Sequence, residues 1–248
     1  MNIAIIGYGN MGKEIERAAK IKNINVKSII DNADKNAGYE VINEKSMEDV
    51  DVCIDFTSPK AVVGNIKKIA GFSKNIVVGT TGWYGKINEV KKIVKKNGVG
   101  LIYASNFSIG VNIFFKIVED ASKIINNFDD YDVYGYELHH RMKSDSPSGT
   151  AKTLAEILIK NIKRKKGSLF DKIDRKIRHD ELHFASVRAG NIAGTHVVGF
   201  DSTADSIELK HTARNREGFA LGALAAAEWI NGKKGFYTID GMLSEKIK

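Results

Sequence analysis

The sequence predicts an α/β chain in two parts, a doubly wound parallel sheet followed by an α+β segment. Three observations predict it. Over the first hundred residues, short, nearly continuous apolar runs alternate with apolar-periodic stretches, the pattern of parallel strands buried on both faces with helices between them. After about residue 110 the rhythm changes to strands joined by Gly-rich or polar turns, with helices beside them. A glycine cluster, Gly7-Tyr8-Gly9-Asn10-Met11-Gly12, falls where the first strand hands over to the first helix.

Taken in order, residues 2–7 are a short apolar run and read as a strand, and 11–21 carry helical periodicity. Residues 25–31 form a second strand and 50–57 a third. Residues 59–70 read as a helix with Pro59 near its first turn, where its missing N–H is not needed. Residues 75–81 are a fourth strand, 84–96 a helix and 100–106 a fifth strand. Beyond these, 111–126 reads as a helix with Ile113, Ile117, Ala121 and Ile124 on one stripe, and 132–140 as a strand. A helix runs from Pro147 or Gly149 to Lys165. Residues 183–188, 195–201 and 206–211 are strands, and an alanine-rich helix covers 215–230. The change of rhythm alone places a domain boundary near 107–112.

Composition narrows the function classes. At roughly 150 residues per domain, 248 residues make one large domain or two modest ones. Hydrophobic residues at 43% and charged residues at 27% exclude a disordered chain. A single cysteine, Cys53, forbids an internal disulfide and points to a reducing compartment, the cytoplasm. The opening residues have no basic segment or long apolar run of a signal peptide, and the longest mostly apolar stretch, 218–230, contains Glu228 and is far short of the ~20 residues a bilayer needs. No membrane partner is expected. The net charge of +8 is a mild bias toward anionic partners. The densest basic runs, 91–96 and 160–166, have apolar residues at helical spacing and read as solvated helix faces; neither interleaves aromatics, so no nucleic acid is expected.

The glycine cluster is a G-x-G-x-x-G. Gly7, Gly9 and Gly12 allow a tight turn and close backbone approach to a pyrophosphate, whose charge then rests on the helix N-terminus beside Asn10 and Met11. Asp31 ends the second strand, nineteen residues after Gly12, where an acid accepts a hydrogen bond from a ribose hydroxyl. With strand, helix and acid in register the expectation is a Rossmann-type dinucleotide site, the alternative being a plain glycine turn. Asp31 alone favours NAD, while Lys35 is placed to reach a 2′-phosphate, so NADH and NADPH both stay open. Gly79-Thr80-Thr81-Gly82 and Ser105-Asn106-Phe107-Ser108 follow the fourth and fifth strands, beyond the carboxyl ends where ligands bind in such sheets. Both are also ordinary turn sequences.

The segment from Glu137 to Ala151 is the richest. It places His139, His140, Arg141 and Lys143 at a strand end and then starts a helix with Ser148, Gly149 and Thr150. Backbone N–H groups at Gly149 and Thr150 make an anion site, the cations beside it suit a carboxylate-bearing substrate, and His and Lys supply proton donors. By contrast, His179-Asp180-Glu181-Leu182-His183 only superficially suggests a zinc helix; its second residue is Asp, no third ligand is apparent and it runs into a strand, so no metal is expected. Cys53 sits in an apolar strand and reads as a small core residue.

Together, Asp55-Phe56-Thr57-Ser58-Pro59, Gly79 to Gly82, Asn106 to Asn112, Glu137 to Ala151, Ser186 to His196 and Gly235 to Asp240 resemble the dihydrodipicolinate (4-hydroxy-tetrahydrodipicolinate) reductases of lysine and diaminopimelate biosynthesis, over nearly the whole chain. The resemblance implies a dinucleotide-binding domain from 1–109 and 218–248. It also implies a substrate domain from 110–217 whose open mixed sheet assembles a homotetramer. It implies hydride transfer from NADH or NADPH to a small cyclic dicarboxylate. His139 and Lys143 match the family's proton donors; His140, Lys143, Gly149 and Thr150 match carboxylate contacts; Arg216 and Phe219 match positions approaching the cofactor. The chain departs from the family in a glycine loop one residue shorter than usual, in Asn10 where arginine is frequent and in Met142 where histidine is frequent. Two rivals remain: another two-domain nucleotide dehydrogenase, and a redox sensor that binds NAD(P) without turnover.

Overall fold

The apolar opening run of the chain is the centre of a six-stranded parallel sheet in the computed structural model, which describes residues 1–245. In chain order its first part contains β1 (Asn2–Ile6), α1 (Asn10–Ile21), β2 (Asn25–Ile30), α2 (Glu44–Met47), β3 (Val52–Asp55), α3 (Val62–Gly71), β4 (Asn75–Val78), α4 (Ile87–Asn97) and β5 (Gly100–Tyr103). Next come α5 (Ile109–Ile125), β6 (Asp132–His139), α6 (Gly149–Asn161), β7 (Gly167–Leu169), β8 (Glu181–Arg188), β9 (Thr195–Asp201) and β10 (Ser206–Thr212). The chain then adds α7 (Glu217–Ile230), β11 (Gly235–Thr238) and α8 (Ile239–Ser244). It divides into two compact units, Met1–Ser108 with the segment from Arg216 onward, and Ile109–Asn215.

In the first unit the strand order is β11-β5-β4-β3-β1-β2, all parallel. β1 has β2 on one side and β3 on the other, so the order reverses there and a crevice opens beyond the carboxyl ends of β1 and β3. Helices on both faces explain the near-continuous apolar strands: Ile3, Ile5, Val52, Cys53, Ile54, Ile76, Val77, Leu101 and Ile102 are all fully buried. Each buried Ile contributes about 1.5–3 kcal/mol relative to an exposed one. α1 turns Ile15, Ala18 and Ala19 inward at helical spacing, and α7 packs on α1 and β4 through a face of Ala220, Ala223, Ala226 and Ala227 small enough for close approach. α4 ends at Gly98, whose φ of +63° is the left-handed turn that stops a helix.

The second unit is a mixed five-stranded sheet, β10-β9-β6-β8-β7, in which β6 pairs parallel with β8 and antiparallel with β9. Its core joins Phe114, Val118, Leu154, Leu158, Leu182, Phe184, Val198 and Phe200. Along β6, Val133, Gly135, Glu137 and His139 are buried while Tyr134, Tyr136 and Leu138 are half-buried, the alternation of a strand with one covered face.

Several elements differ from the sequence expectation. The helix expected from Pro59 starts at Val62, because the Ser58 carbonyl takes the N–H groups of both Ala61 and Val62 in a preceding turn. The helix expected from Tyr84 begins as a separate 3₁₀ turn, Tyr84–Lys86. α6 ends at Asn161, and the basic run 160–166 is no solvated helix face: Lys165 is buried, donating to the carbonyls of His179 and Glu181 at 2.8 Å each and pairing with Asp132 at 2.6 Å. On α5 the expected stripe is the outer one. Ile113, Ile117 and Ile124 are exposed, and Phe114, Val118, Ser122 and Ile125 face the core, because this helix is apolar on two sides. The short elements α2, β7, β11 and α8 carry too few residues for a periodicity to show.

Candidate active site

The dinucleotide turn follows from the packing of β1. Gly7 has φ +90° and donates its N–H to the Ile30 carbonyl at 2.9 Å; a Cβ there would stand 2.4 Å from the Phe56 carbonyl oxygen. A Cβ on Gly12 would stand 2.2 Å from the Gly7 carbonyl oxygen, so this glycine lets α1 close against the strand end. Gly9 is different: it caps α1 in an extended conformation, and a Cβ on it would meet nothing within 4 Å. Asn10, exposed, and Met11, half-buried, open the helix.

Asp31 is held in place by the backbone. Its Oδ2 accepts from Tyr8 N at 2.7 Å and its Oδ1 from Ala33 N at 2.7 Å and Asp34 N at 3.1 Å. The Tyr8 amide above all holds its carboxyl below the ordinary value, against the opposing pull of burial. Gly7, Gly9 and Asp31 line a cavity of about 560 Å³ together with Phe56, Thr57 and Ser58, and a second depression of about 280 Å³ joins Gly9, Asn10, Asp31 and Lys13. Open space at Gly9 and an anchored carboxylate at the end of β2 fit the pyrophosphate and ribose of a dinucleotide. Lys35 is exposed and lines neither cavity; Lys13, which the sequence reading passed over, pairs with Asp34 at 2.7 Å beside the turn.

The loops after β4 and β5 are built around a buried acid. Asp55 has no exposed surface and accepts from Thr57 N at 3.1 Å, Thr57 Oγ1 at 2.8 Å, Thr80 Oγ1 at 2.8 Å and Asn65 Nδ2 at 2.9 Å. Burial pushes its carboxyl up despite these donors. The Thr80 hydroxyl is therefore engaged within the fold, and Gly79 is a glycine because the Phe56 ring lies where its Cβ would be, 2.1 Å away. Thr81 and Ser105 are exposed, Asn106 Oδ1 accepts from Ser108 N at 2.8 Å, and Phe107 is buried with its ring 6.2 Å from that of Phe56. Arg216, exposed, and Phe219, half-buried, stand at the start of α7.

In the second unit, strand alternation puts Glu137 and His139 on the covered face of β6 and half-buries His140 just beyond. The Glu137 carboxylate, with no exposed surface, gathers donors from four elements. Its Oε1 takes Ser148 N at 2.9 Å, Ser186 Oγ at 2.9 Å and Arg188 Nη2 at 2.8 Å. Its Oε2 takes the Ser148 hydroxyl and faces His139 Nδ1 and His196 Nε2 at 3.3 Å each. Burial raises its carboxyl, but the donors from His139, His196, Ser148 and Arg188 outweigh that and hold it well below the ordinary carboxylate range, so it stays ionised. Arg188 Nη2 also donates to the Asp145 carbonyl at 2.7 Å, and Lys143 pairs with Asp145 at 2.7 Å, so the polar loop is tied to the same group.

Ser148 caps α6, its hydroxyl accepting from Ala151 N at 3.2 Å; Gly149 and Thr150 follow as the first helical residues, with open space where a Gly149 Cβ would be. His139, Lys143 and the α6 N-terminus are thus brought together through Glu137. His196 is a member that sequence reasoning missed. Its ring centroid lies 5.1 Å from that of His139, and burial keeps it neutral by lowering its pKa. The donor atoms of Glu137, His139 and His196 lie within 4.8 Å of one another, but the carboxylate's oxygens face the Arg188 guanidinium and the Ser148 hydroxyl, which a cation would have to displace. His179 and His183 straddle a turn and β8 rather than a helix.

Residues 1–107 match the family described as dihydrodipicolinate reductase, N-terminus, and residues 110–243 match dihydrodipicolinate reductase, C-terminus. The chain belongs to the dihydrodipicolinate reductase family. It is 39% identical over 248 residues to the 4-hydroxy-tetrahydrodipicolinate reductase of Christiangramia forsetii, covering 100% of both chains. It is 38% identical over 262 residues to that of Archaeoglobus fulgidus, covering 98% of this chain and 100% of the relative. Among solved structures, a dipicolinate-bound dihydrodipicolinate reductase from a Paenisporosarcina species shares its fold with a TM-score of 0.77 at 24% identity, covering 97% of this chain and 98% of that one. An amine dehydrogenase from Mycobacterium smegmatis shares it more distantly, with a TM-score of 0.62 at 10% identity, covering 97% of this chain and 95% of the other. As a dihydrodipicolinate reductase by family, the protein is an oxidoreductase with a Rossmann-type sheet and a second mixed sheet.

Proposed function

We propose that this chain reduces 4-hydroxy-tetrahydrodipicolinate to tetrahydrodipicolinate with NADH or NADPH, in lysine and diaminopimelate biosynthesis. The observation that carries this reading is the convergence of His139, the Lys143 loop and the α6 N-terminus on the buried Glu137 carboxylate. A dianionic ring needs cations and helix N–H groups to hold it, and this unit supplies both. His140, Lys143, Gly149 and Thr150 bind the two carboxylates. His139, whose Nδ1 faces Glu137, has room at Nε2 because Gly194 carries no side chain there; a Cβ on it would come within 3.0 Å.

A bound nicotinamide would supply the hydride. His139 Nε2 or Lys143 Nζ delivers the proton that accompanies it, and the 4-hydroxyl leaves as water, so that substrate, NAD(P)H and a proton become product, NAD(P)⁺ and water. Residues 1–109 and 218–248, with Arg216 just before the second segment, would hold the dinucleotide through Gly7, Gly9, Asn10, Met11, Gly12 and Asp31, with Lys35 toward a 2′-phosphate and the 79–81 and 105–108 loops, Arg216 and Phe219 as the further cofactor contacts. Residues 110–217 bind substrate and assemble a homotetramer through the open sheet face, where Val187 is exposed. Among the described residues no helix is long and apolar enough to cross a membrane, and the enzyme works in the cytoplasm. The test is loss of nicotinamide absorbance with enzymatically generated substrate, run with each nucleotide. Tight nucleotide binding without oxidation is the result that overturns the reading.

A further inference from the structure

A carboxylate with no exposed surface is a poor way to stabilise a fold. Removing it from water costs several kcal/mol, and well-packed apolar residues of the same volume commonly do as well or better than a buried charge pair. Glu137 is nevertheless in the middle of the second unit, and beside Ser186 of β8 it touches groups that adjoin the candidate substrate site. It holds the Ser148 N–H and hydroxyl that start α6. It holds the guanidinium of Arg188, which in turn holds the Asp145 carbonyl in the loop of Lys143. It also faces the two imidazoles, His139 Nδ1 and His196 Nε2, at equal distances of 3.3 Å.

We propose that Glu137 is a positioning residue of the reductase: its carboxylate orients the His139 imidazole, with Nδ1 turned inward toward Oε2 and Nε2 outward beside Gly194. His196 completes the arrangement from β9, its Nε2 lying 3.2 Å from the Ser148 hydroxyl and 3.3 Å from the same carboxylate oxygen that faces His139. The logic is that of an acid behind a catalytic imidazole. The carboxylate fixes which ring nitrogen faces the substrate and stabilises the ring while it carries a positive charge. The inference rests on the reading of His139 as a proton donor.

The experiment is a double-mutant cycle on kcat and KM. Glu137→Gln keeps the side chain's shape and removes its charge. It is expected to lower kcat roughly 10- to 100-fold, at or below the ~100-fold lower end of what general-acid catalysis contributes because the ring is misoriented and not removed, with KM and nucleotide Kd within about threefold of wild type. His139→Ala alone is expected to lower kcat by about 100-fold, and adding Glu137→Gln to it to change kcat by less than about threefold, because the carboxylate then has no ring to orient. A Glu137→Gln protein with wild-type kcat beside a defective His139→Ala overturns the proposal alone, as do fully additive effects. A His139→Ala protein with wild-type kcat overturns the proton-donor reading itself. If Glu137→Gln does not fold because the half-buried Arg188 has lost its counter-charge, the pair Glu137→Gln with Arg188→Met removes both charges and is read against Arg188→Met alone. Failure of both to fold makes Glu137 a determinant of the fold and overturns the proposal.

Discussion

Gly7 and Gly9 lie two residues apart and are glycines for different reasons, which a pair of alanine substitutions separates. At Gly9 the φ of −73° is one alanine adopts freely, and the added Cβ meets nothing within 4 Å. Gly9→Ala is therefore expected to change stability by less than about 1 kcal/mol, or about 2–4 °C in Tm for a chain of this size. At Gly7 the φ of +90° costs an alanine about 1–2 kcal/mol, and a Cβ 2.4 Å from the Phe56 carbonyl and 2.9 Å from Thr57 Cγ2 adds about 1–3 kcal/mol of overpacking. Gly7→Ala is expected to lower Tm on the order of 10 °C. Nucleotide affinity follows the opposite logic. The methyl of Gly9→Ala occupies the open space into which the pyrophosphate is expected to settle, and a loss of contact worth about 1.4 kcal/mol is tenfold in Kd. Thermal melts of the two variants, with fluorescence titrations of NADH and NADPH into Gly9→Ala, measure both. A Gly9→Ala protein that binds nucleotide as tightly as wild type refutes the placement of the pyrophosphate, and a Gly7→Ala protein with unchanged Tm refutes the steric argument.

Lys143→Ala is expected to reduce kcat by about 100-fold while nucleotide Kd stays within about threefold; a steady-state assay and a titration check this, and a parallel loss of nucleotide binding would make the loop a nucleotide contact instead. Burial holds His196 and His211 below the ordinary value of 6.5. As pH falls through 6.5 the unfolded chain takes up protons first, so stability drops below that pH, and urea melts of His196→Asn should show a flatter pH dependence than wild type there. A wild-type-like slope in the variant would contradict the assignment. Cys53 is fully buried with its thiol pushed up by burial and with Met47 Sδ 3.6 Å from its sulfur; a thiol reagent should label it only at the rate of opening, and immediate labelling of the native protein would contradict that packing.

What the sequence made legible was local. The Gly7–Gly12 turn and Asp31 were readable because strand, glycines and acid stand at short fixed spacings, and the structure holds Asp31 by the Tyr8 amide inside that turn. The parallel strands are readable because Ile3–Ile6, Val52–Asp55 and Ile76–Val78 are buried on both faces. What was missed depends on distant partners. His196 gives no signal in its own neighbourhood; it reaches Glu137 only through the antiparallel register of β9 with β6, which aligns the two directly. Turn residues such as Thr80 look available in a sequence, but the hydroxyl is engaged by Asp55, and Phe107 packs against Phe56. Which side of α5 is buried is not legible, because a helix apolar on two sides does not say which side the sheet will take.

The central claim, that this chain turns over a nicotinamide nucleotide against a cyclic dicarboxylate, is tested most directly by following nicotinamide absorbance while the unstable substrate is generated enzymatically in the same cuvette. Oxidation that starts only when the generating system is complete, and that pyridine-2,6-dicarboxylate inhibits in competition with substrate, is the predicted result. Saturable nucleotide binding with no oxidation under those conditions would contradict it.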